Sequence, residues 1–204
     1  MIITRVEPLT KTKFRIYIDG EPVFVLYRGE LKRFNIAEEE EISEQTVEKI
    51  NKDVLLKRAK LRAMHLLEDM DRTEKALRDK LRQGGYPESA IDGAVKYVSS
   101  FGYLNDVRFA ENFVLSRKNS KSRREIQALL AQKGVPADTA QAVLEQIYGE
   151  DGEQASIRQI LRKKRMDPER ADEQTLRKIY GYLARKGYRY EDIRQVIQND
   201  YPNA

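Results

Sequence analysis

The side chains that do covalent or acid–base chemistry are scarce in this sequence. It has no Cys and a single His, at position 65, within Ala63-Met64-His65-Leu66-Leu67. Thiolate nucleophiles, disulfides and Cys-based zinc sites are excluded, and any His-dependent triad or cluster would rest on His65 alone. No second His and no evident acid constellation stands at ligand spacing from it, so a structural or surface role is the preferred reading. Asp69 and Asp71 form one carboxylate pair among 33 acidic residues and carry no acid/base assignment. Neither G-x-x-x-x-G-K-S/T nor G-x-G-x-x-G occurs, and Gly84-Gly85 reads as a helix end, not a phosphate cradle. An enzyme is the last choice, with no catalytic residue, metal or cofactor expected.

Cations are the richer signal. Arg117, Lys118, Lys121, Arg123 and Arg124 place five positive charges in eight residues without an acid. Arg162-Lys163-Lys164-Arg165 is an unbroken run at the end of a helical segment, and Lys57, Arg58, Lys60 and Arg62 sit in an earlier one. Cations at helix C-termini complement the backbone dipole and keep a protein in solution, which would explain any one cluster. Their recurrence supports a second reading, an electropositive strip facing an anionic partner. Bulk charge does not decide the matter. The net charge is only +5, with 19 basic against 18 acidic residues in 1–104 and 19 against 15 in 105–204. A protein that neutralised many DNA phosphates would normally show a denser basic excess. Of the 11 Tyr, three (Tyr86, Tyr103 and Tyr188) sit at turns. Packing with the hydroxyl reaching water is preferred there over stacking on nucleic-acid bases.

These residues need a scaffold. The chain has 204 residues, 40% of them apolar and 35% charged, which suits a thin helical array with much surface. The longest apolar stretch is Val23 to Tyr27, far short of a membrane span or a signal-peptide core, so a soluble, unexported and cytoplasmic chain is expected. The first 35 residues read as strands. Phe14, Ile16 and Ile18 alternate with Arg15 and Tyr17, Asp19-Gly20 supplies a hairpin turn, and Val23–Tyr27 follows; Ile2–Val6 could add a third strand. Such a patch is marginal alone and should lean on the helices after it. The acidic run Glu38–Glu41 reads as a solvated loop or edge near a helix start, and the helical period begins at Ser43.

Beyond residue 53 the chain repeats. Gly85, Gly134 and Gly187 stand 49 and 53 residues apart. Four residues before each is Leu81, Leu130 or Leu183; eight before, Leu77, Ile126 or Ile179; twelve before, Thr73, Ser122 or Thr175. Apolar residues return at the sixth, ninth and tenth positions after each glycine. The spacing describes a helix, a glycine turn and a second helix. With the glycine at C′, the leucine is C3 and the residue after the glycine is C″, the apolar pair of a Schellman turn. Thr73 and Ser122 are candidate N-caps, Ser122 with Glu125 as a capping box; in the third unit Asp172 is the better cap. Pro87 and Pro136 suit the first turn of the second helix. A further helix precedes each pair, with stripes at Leu55, Ala59, Leu66, Leu67 and Met70, at Phe109, Ala110, Phe113 and Val114, and at Ile157, Ile160 and Leu161. The expected architecture is mainly α: three tandem three-helix repeats (53–104, 105–150, 151–204) in an elongated, curved array. A small N-terminal β-hairpin or meander with a short helical segment precedes them (1–52). Joints are expected at Asn105-Asp106 and at Gly149-Glu150-Asp151-Gly152.

Arg72-Thr73-Glu74-Lys75-Ala76-Leu77-Arg78-Asp79-Lys80-Leu81, then Gly85-Tyr86, then Gly102-Tyr103-Leu104-Asn105-Asp106 with Arg108-Phe109-Ala110, resembles the RecX family, regulators of the RecA recombinase. The resemblance is strongest over about residues 55–135. The last unit departs from the pattern, with Arg189 where the others have Pro, and the N-terminal hairpin looks like an extension found in part of the family. The resemblance implies a tandem three-helix architecture and a non-enzymatic modulator that lies in the groove of the RecA–DNA filament. It implies inhibition of strand exchange, ATP hydrolysis and co-protease activity in DNA repair and the SOS response. A monomer is expected, and direct contact with single- or double-stranded DNA stays open. The basic residues named above are the candidate filament- or DNA-facing set; Leu77, Leu81, Gly85, Phe109 and Ala110 read as structural. Two other classes remain: a nucleic-acid-binding helical repeat protein without RecA specificity, and a helical adaptor for a peptide.

Overall fold

A computed structural model describes residues 1–149 and 153–201. The chain gathers into two compact units, Met1–Asn105 and Asp106–Ala204.

The first unit begins with three antiparallel strands in the order β1 (Ile3–Pro8), β2 (Lys13–Ile18), β3 (Glu21–Tyr27). Asp19 and Gly20 both take positive φ, 50° and 89°, as the two-residue type I′ hairpin turn requires. Cross-strand pairing puts Ile16 beside Phe24 and Phe14 beside Leu26, so one face of the sheet is apolar. The run Val23–Tyr27 does not alternate because both faces of β3 are partly covered: Phe24 and Leu26 join the core, and the turn at Gly85 closes over Val25. The acidic run Glu38–Glu41 lines the outer edge of β1. Glu39 N–H donates to Ile3 O (2.8 Å), Ile3 N–H to Glu40 O (3.0 Å), and Ile42 N–H to Met1 O (2.9 Å); Val6 N–H donates to Glu38 Oε1 (2.7 Å), and the side chains of Glu39, Glu40 and Glu41 are exposed. The run is therefore an edge whose main chain closes the sheet.

A short helix that the apolar period does not signal, α1 (Arg28–Arg33), follows β3; it buries none of its residues, and Tyr27 N–H donates to Glu30 Oε2 (2.7 Å) at its start. Helix α2 (Glu44–Ile50) is capped by Ser43, whose Oγ accepts from Thr46 N–H. A π turn (Asn51–Leu55) joins it directly to α3 (Leu56–Asp69). Its wider i→i+5 bonding brings residues five apart towards one side, so Ile50 and Leu55 both reach the core. Helices α4 (Glu74–Gln83) and α5 (Glu88–Ser100) complete the first repeat, and sheet and helices share one apolar cluster. Leu55, Ala59 and Leu66 are buried as expected, but α3 ends at Asp69. Met70 is therefore 57% exposed, and Ala63 holds the inward position.

The second unit contains α6 (Asp106–Leu115), α7 (Arg123–Lys133) and α8 (Ala137–Tyr148). It continues with α9 (Gln154–Lys164), a 3-10 turn (Pro168–Arg170), α10 (Glu173–Arg185) and α11 (Tyr190–Asp200). Each trio has its own apolar cluster, one around Ala110, Ile126, Leu130 and Leu144, the other around Ile157, Leu161, Ile179 and Leu183. Gly149 follows α8; Glu150, Asp151 and Gly152 of the expected second joint lie outside the described residues. Among the described residues no helix is long and apolar enough to cross a membrane.

The repeated turn has the expected form at all three sites. The N–H of the residue after each glycine donates to the carbonyl of the leucine four before it: Tyr86 to Leu81, Val135 to Leu130, and Tyr188 to Leu183. The caps agree as well. Thr73 Oγ1 accepts from Ala76 N–H (3.2 Å), Ser122 Oγ from Glu125 N–H (3.1 Å), and Asp172 Oδ1 from Thr175 N–H (2.8 Å). Glu125 turns its carboxylate to Lys121, and Pro87 and Pro136 stand at the cap positions, one residue before the helices they start.

Candidate functional site

The basic clusters have different fates. On α3, Lys57 and Arg62 are exposed, and Lys60 Nζ lies 4.6 Å from the centre of the Tyr97 ring. Arg58 turns inward. Its Nη2 donates to Val25 O (2.7 Å), its Nη1 pairs with Glu30 (3.2 Å), and its guanidinium lies 4.8 Å over Tyr27. It fastens α3 to the sheet and is not a free surface charge.

In the turn between α6 and α7, Arg117 covers the face of Phe113 at 3.8 Å and donates to Ser116 Oγ. Lys121 is paired with Glu125. Arg123 stands at the first position of α7, its Nη2 3.7 Å from Glu145 and its main-chain N–H bonded to the carboxylate of Glu153. Arg124 is exposed, and Lys118 is half-buried. At the end of α9, Arg162, Lys163, Lys164 and Arg165 are all exposed. Arg165 adopts the left-handed conformation (φ 54°, ψ 35°) that glycine supplies at the comparable ends of α4, α7 and α10.

Within the second unit, Lys118, Arg123, Arg124, Lys163 and Lys164 border clefts at the joint between its two trios of helices, whereas Arg117, Lys121, Arg162 and Arg165 line none of them. Ser122 ties the joint: it caps α7 and donates its hydroxyl proton to Lys186 O (2.7 Å). Gly187 makes the approach possible. A Cβ there would stand 2.8 Å from Ser122 Oγ, and the residue has φ +93°. One cleft beside this joint, about 480 Å³, carries Arg123 and Arg124 from the second repeat and Arg189 from the third. A neighbouring one, about 550 Å³, sets Arg124 against Arg185 and Lys186. Lys186 also borders a smaller cleft, about 230 Å³, walled by Lys163 and Lys164 and by Asn119 and Ser120 of the α6–α7 turn. Two basic clusters far apart in sequence, one around Arg123 and the other around Lys163, thus line one stretch of surface.

The joint is polar where the trios' interiors are apolar. Glu153 is 5% exposed, and burial pushes its carboxyl above the ordinary carboxylate range despite the Arg123 N–H. Tyr188 is buried, bonded to Ser156 Oγ (2.5 Å), and burial pushes its phenol up to about 12. Arg158, beside Lys118 in another cleft of the same joint, is held by Asp200 at 2.5 Å.

His65 is exposed, with Nδ1 3.2 Å from Glu68 Oε2. Among the described residues no three His, Asp or Glu stand together as a metal site would require. Sequence reasoning missed Arg185, Lys186 and Arg189. The available signal was their placement around the third repeat glycine, in Arg185-Lys186-Gly187-Tyr188-Arg189.

The succession of helical trios has a counterpart in known families. Residues 59–97 match the first three-helix domain of RecX, 105–144 the second and 151–197 the third. The chain is 33% identical over 199 residues to the regulatory protein RecX of Caldanaerobacter subterraneus subsp. tengcongensis, covering 97% of this chain and 98% of that one. This chain belongs to the RecX family. It is also 35% identical over 142 residues to regulatory protein RecX of Trichlorobacter lovleyi, covering 68% of this chain and 92% of that one. A crystal structure of regulatory protein RecX shares the fold with a TM-score of 0.61 at 21% identity, covering 96% of this chain and 98% of that one. That of RecX from Lactobacillus salivarius does so with a TM-score of 0.62 at 23% identity, over 71% and 95%. The N-terminal sheet falls outside the three matched domains, yet it shares the apolar core of the first.

Proposed function

We propose that this chain is a regulator of RecA: it binds the RecA–DNA filament in its groove and restrains strand exchange, ATP hydrolysis and co-protease activity, without itself catalysing a reaction. The observation that carries the reading is the run of three RecX domains along a chain aligned nearly end to end with a regulatory RecX protein. The charges supply a means. Arg124, Lys163, Lys164, Arg165, Arg185 and Lys186 border or adjoin the clefts of the second unit and face acidic filament surface or DNA phosphates. Several weak interactions made together by successive repeats give avidity that no single one provides. The protein acts as a monomer in the cytoplasm.

The test is RecA's DNA-dependent ATP hydrolysis under increasing amounts of this protein. The expected result is a saturable fall in rate, and R124E/K163E/K164E should shift the curve to higher concentration by tenfold or more. Unchanged hydrolysis, together with tight and steeply salt-dependent binding to naked DNA, would instead identify a nucleic-acid-binding protein without RecA specificity.

A further inference from the structure

The C-terminal turn of α5 is built like the repeat turns and then departs from them. Gly102 N–H donates to Ser99 O (2.9 Å) and Tyr103 N–H to Val98 O (3.2 Å), so Tyr103 is the C″ residue of a Schellman turn. In that motif the C″ side chain ordinarily packs inward. Val135 and Tyr188 do so, each 4% exposed, and Tyr86 packs against the core of the first unit. Tyr103 points out instead. It is 53% exposed and stacks on Phe101, itself 57% exposed, with ring centres 5.8 Å apart and an interplanar angle of 22°. Phe101 meets the edge of Tyr97 at 5.0 Å, and Lys60 caps the row, its ammonium 4.6 Å from the Tyr97 ring centre. The result is a continuous row, Lys60–Tyr97–Phe101–Tyr103, on the surface of the first unit.

Such a row is costly to leave in water. Burying large apolar side chains stabilises a fold, and the same turn elsewhere in this chain achieves it. Lysines flank the rings: Lys57 one turn before Lys60 on α3, and Lys96 next to Tyr97 on α5. Both are exposed, and among the described residues neither they nor Lys60 has a carboxylate within ion-pair distance. A cationic partner would be repelled there. A polymer with flat rings and a negative backbone satisfies the aromatic faces and the lysines together.

We propose that this row is a stacking platform for unpaired bases of single-stranded nucleic acid, with Phe101 and Tyr103 taking the bases and Lys57, Lys60 and Lys96 the phosphates. The platform lies outside the clefts of the second unit and does not depend on the RecA reading. Duplex DNA, whose bases are stacked and paired, offers the rings nothing.

The test is fluorescence anisotropy with labelled oligothymidine and with a duplex of equal length, using the full chain. F101A/Y103A should weaken oligothymidine binding by tenfold or more, in keeping with the loss of one or two stacked bases, and leave duplex binding within twofold. Y103W should keep or strengthen it. K57A/K60A should lower the salt slope for the single strand by about 0.7 for each phosphate no longer neutralised. Thermal melting of each variant checks that the fold is kept. Oligothymidine affinity unchanged in F101A/Y103A overturns the proposal, as does an equal loss for duplex, or no binding by the parent chain. If F101A/Y103A loses only its effect on RecA-catalysed ATP hydrolysis, the row is a protein-binding surface and the proposal fails while the RecA reading stands. If oligothymidine binding depends on the rings but hydrolysis never responds to the parent chain, the reverse holds.

Discussion

Gly85 offers the most direct test of how the N-terminal sheet is joined to the first repeat. It has φ +77°, and a Cβ placed on it would stand 2.5 Å from Val25 Cγ2 and 3.2 Å from Val25 Cβ. The Gly85→Ala variant should therefore suffer two penalties. Left-handed backbone costs a non-glycine residue about 1–2 kcal/mol. The overlap with a β-branched side chain, which has little rotamer freedom with which to yield, adds about 1–3 kcal/mol. Val25→Ala alone removes two buried methyl groups and costs about 1.5–2.5 kcal/mol. In the double variant Cγ2 is gone and the worse overlap with it, while the 3.2 Å approach of the Val25 Cβ and the backbone strain remain. The double variant should thus be less destabilised than the sum of the singles by about 1–2 kcal/mol, measured as a double-mutant cycle by urea unfolding. Additivity within about 0.5 kcal/mol would refute the claim that this glycine is the seat of the sheet on the repeat.

At the end of α9, Arg165→Gly should raise stability by about 0.5–1 kcal/mol, because the left-handed residue loses its Cβ penalty; a thermal melt of the full chain shows it. Ser122→Ala removes both a cap and the donor to Lys186 O, and should cost about 2 kcal/mol in urea unfolding, roughly twice the cost of Asp172→Ala, which removes only an exposed cap. For Glu153 the native carboxyl binds its proton more tightly than the unfolded one. Its contribution to stability is present below the ordinary carboxylate range and is lost as pH rises through the raised native value. Glu153→Gln keeps an acceptor for the Arg123 N–H without the charge. It should be more stable than the parent at about pH 7, and the difference should shrink on acidification towards about pH 4, as read by unfolding at both pH values.

What the sequence discloses about this molecule follows from the range of the interactions involved. The repeat turns are legible because their chemistry is local: a glycine, a leucine four places before it and an apolar residue after it determine both hydrogen bonds without reference to the rest of the chain. The Asp-Gly hairpin is legible for the same reason. Helix α1 leaves no apolar period because it buries none of its residues. The pairing of the acidic run with β1 is hard to read from sequence because most of it is made by the main chain, to which side-chain types are indifferent, with the Glu38 carboxylate adding a bond from Val6 N–H. The basic residues can be counted from sequence, but their roles cannot be sorted there. Arg58 resembles its neighbours until it meets a carbonyl 33 residues away at Val25, and Ser122 is only a cap until Lys186 arrives from 64 residues on.

The same turn has been put to different uses by what its glycine and its C″ residue meet. At Gly85 the bare backbone receives a valine from the sheet, and the seat is apolar and shares a core. At Gly187 it receives a serine hydroxyl, and the joint is polar, bordered by cationic clefts and containing the buried Glu153. An apolar seat makes one unit of two elements; a polar joint leaves each trio with its own core and clefts lined by basic side chains between them. At Gly102 the turn is kept but its aromatic residue is spent on the surface. Such an exchange of burial for exposure is stable only where the surrounding helices already supply the core, as α3, α4 and α5 do here. The sites proposed for binding are therefore the places where a repeated local motif meets a different neighbour, and local sequence rules alone could not single them out.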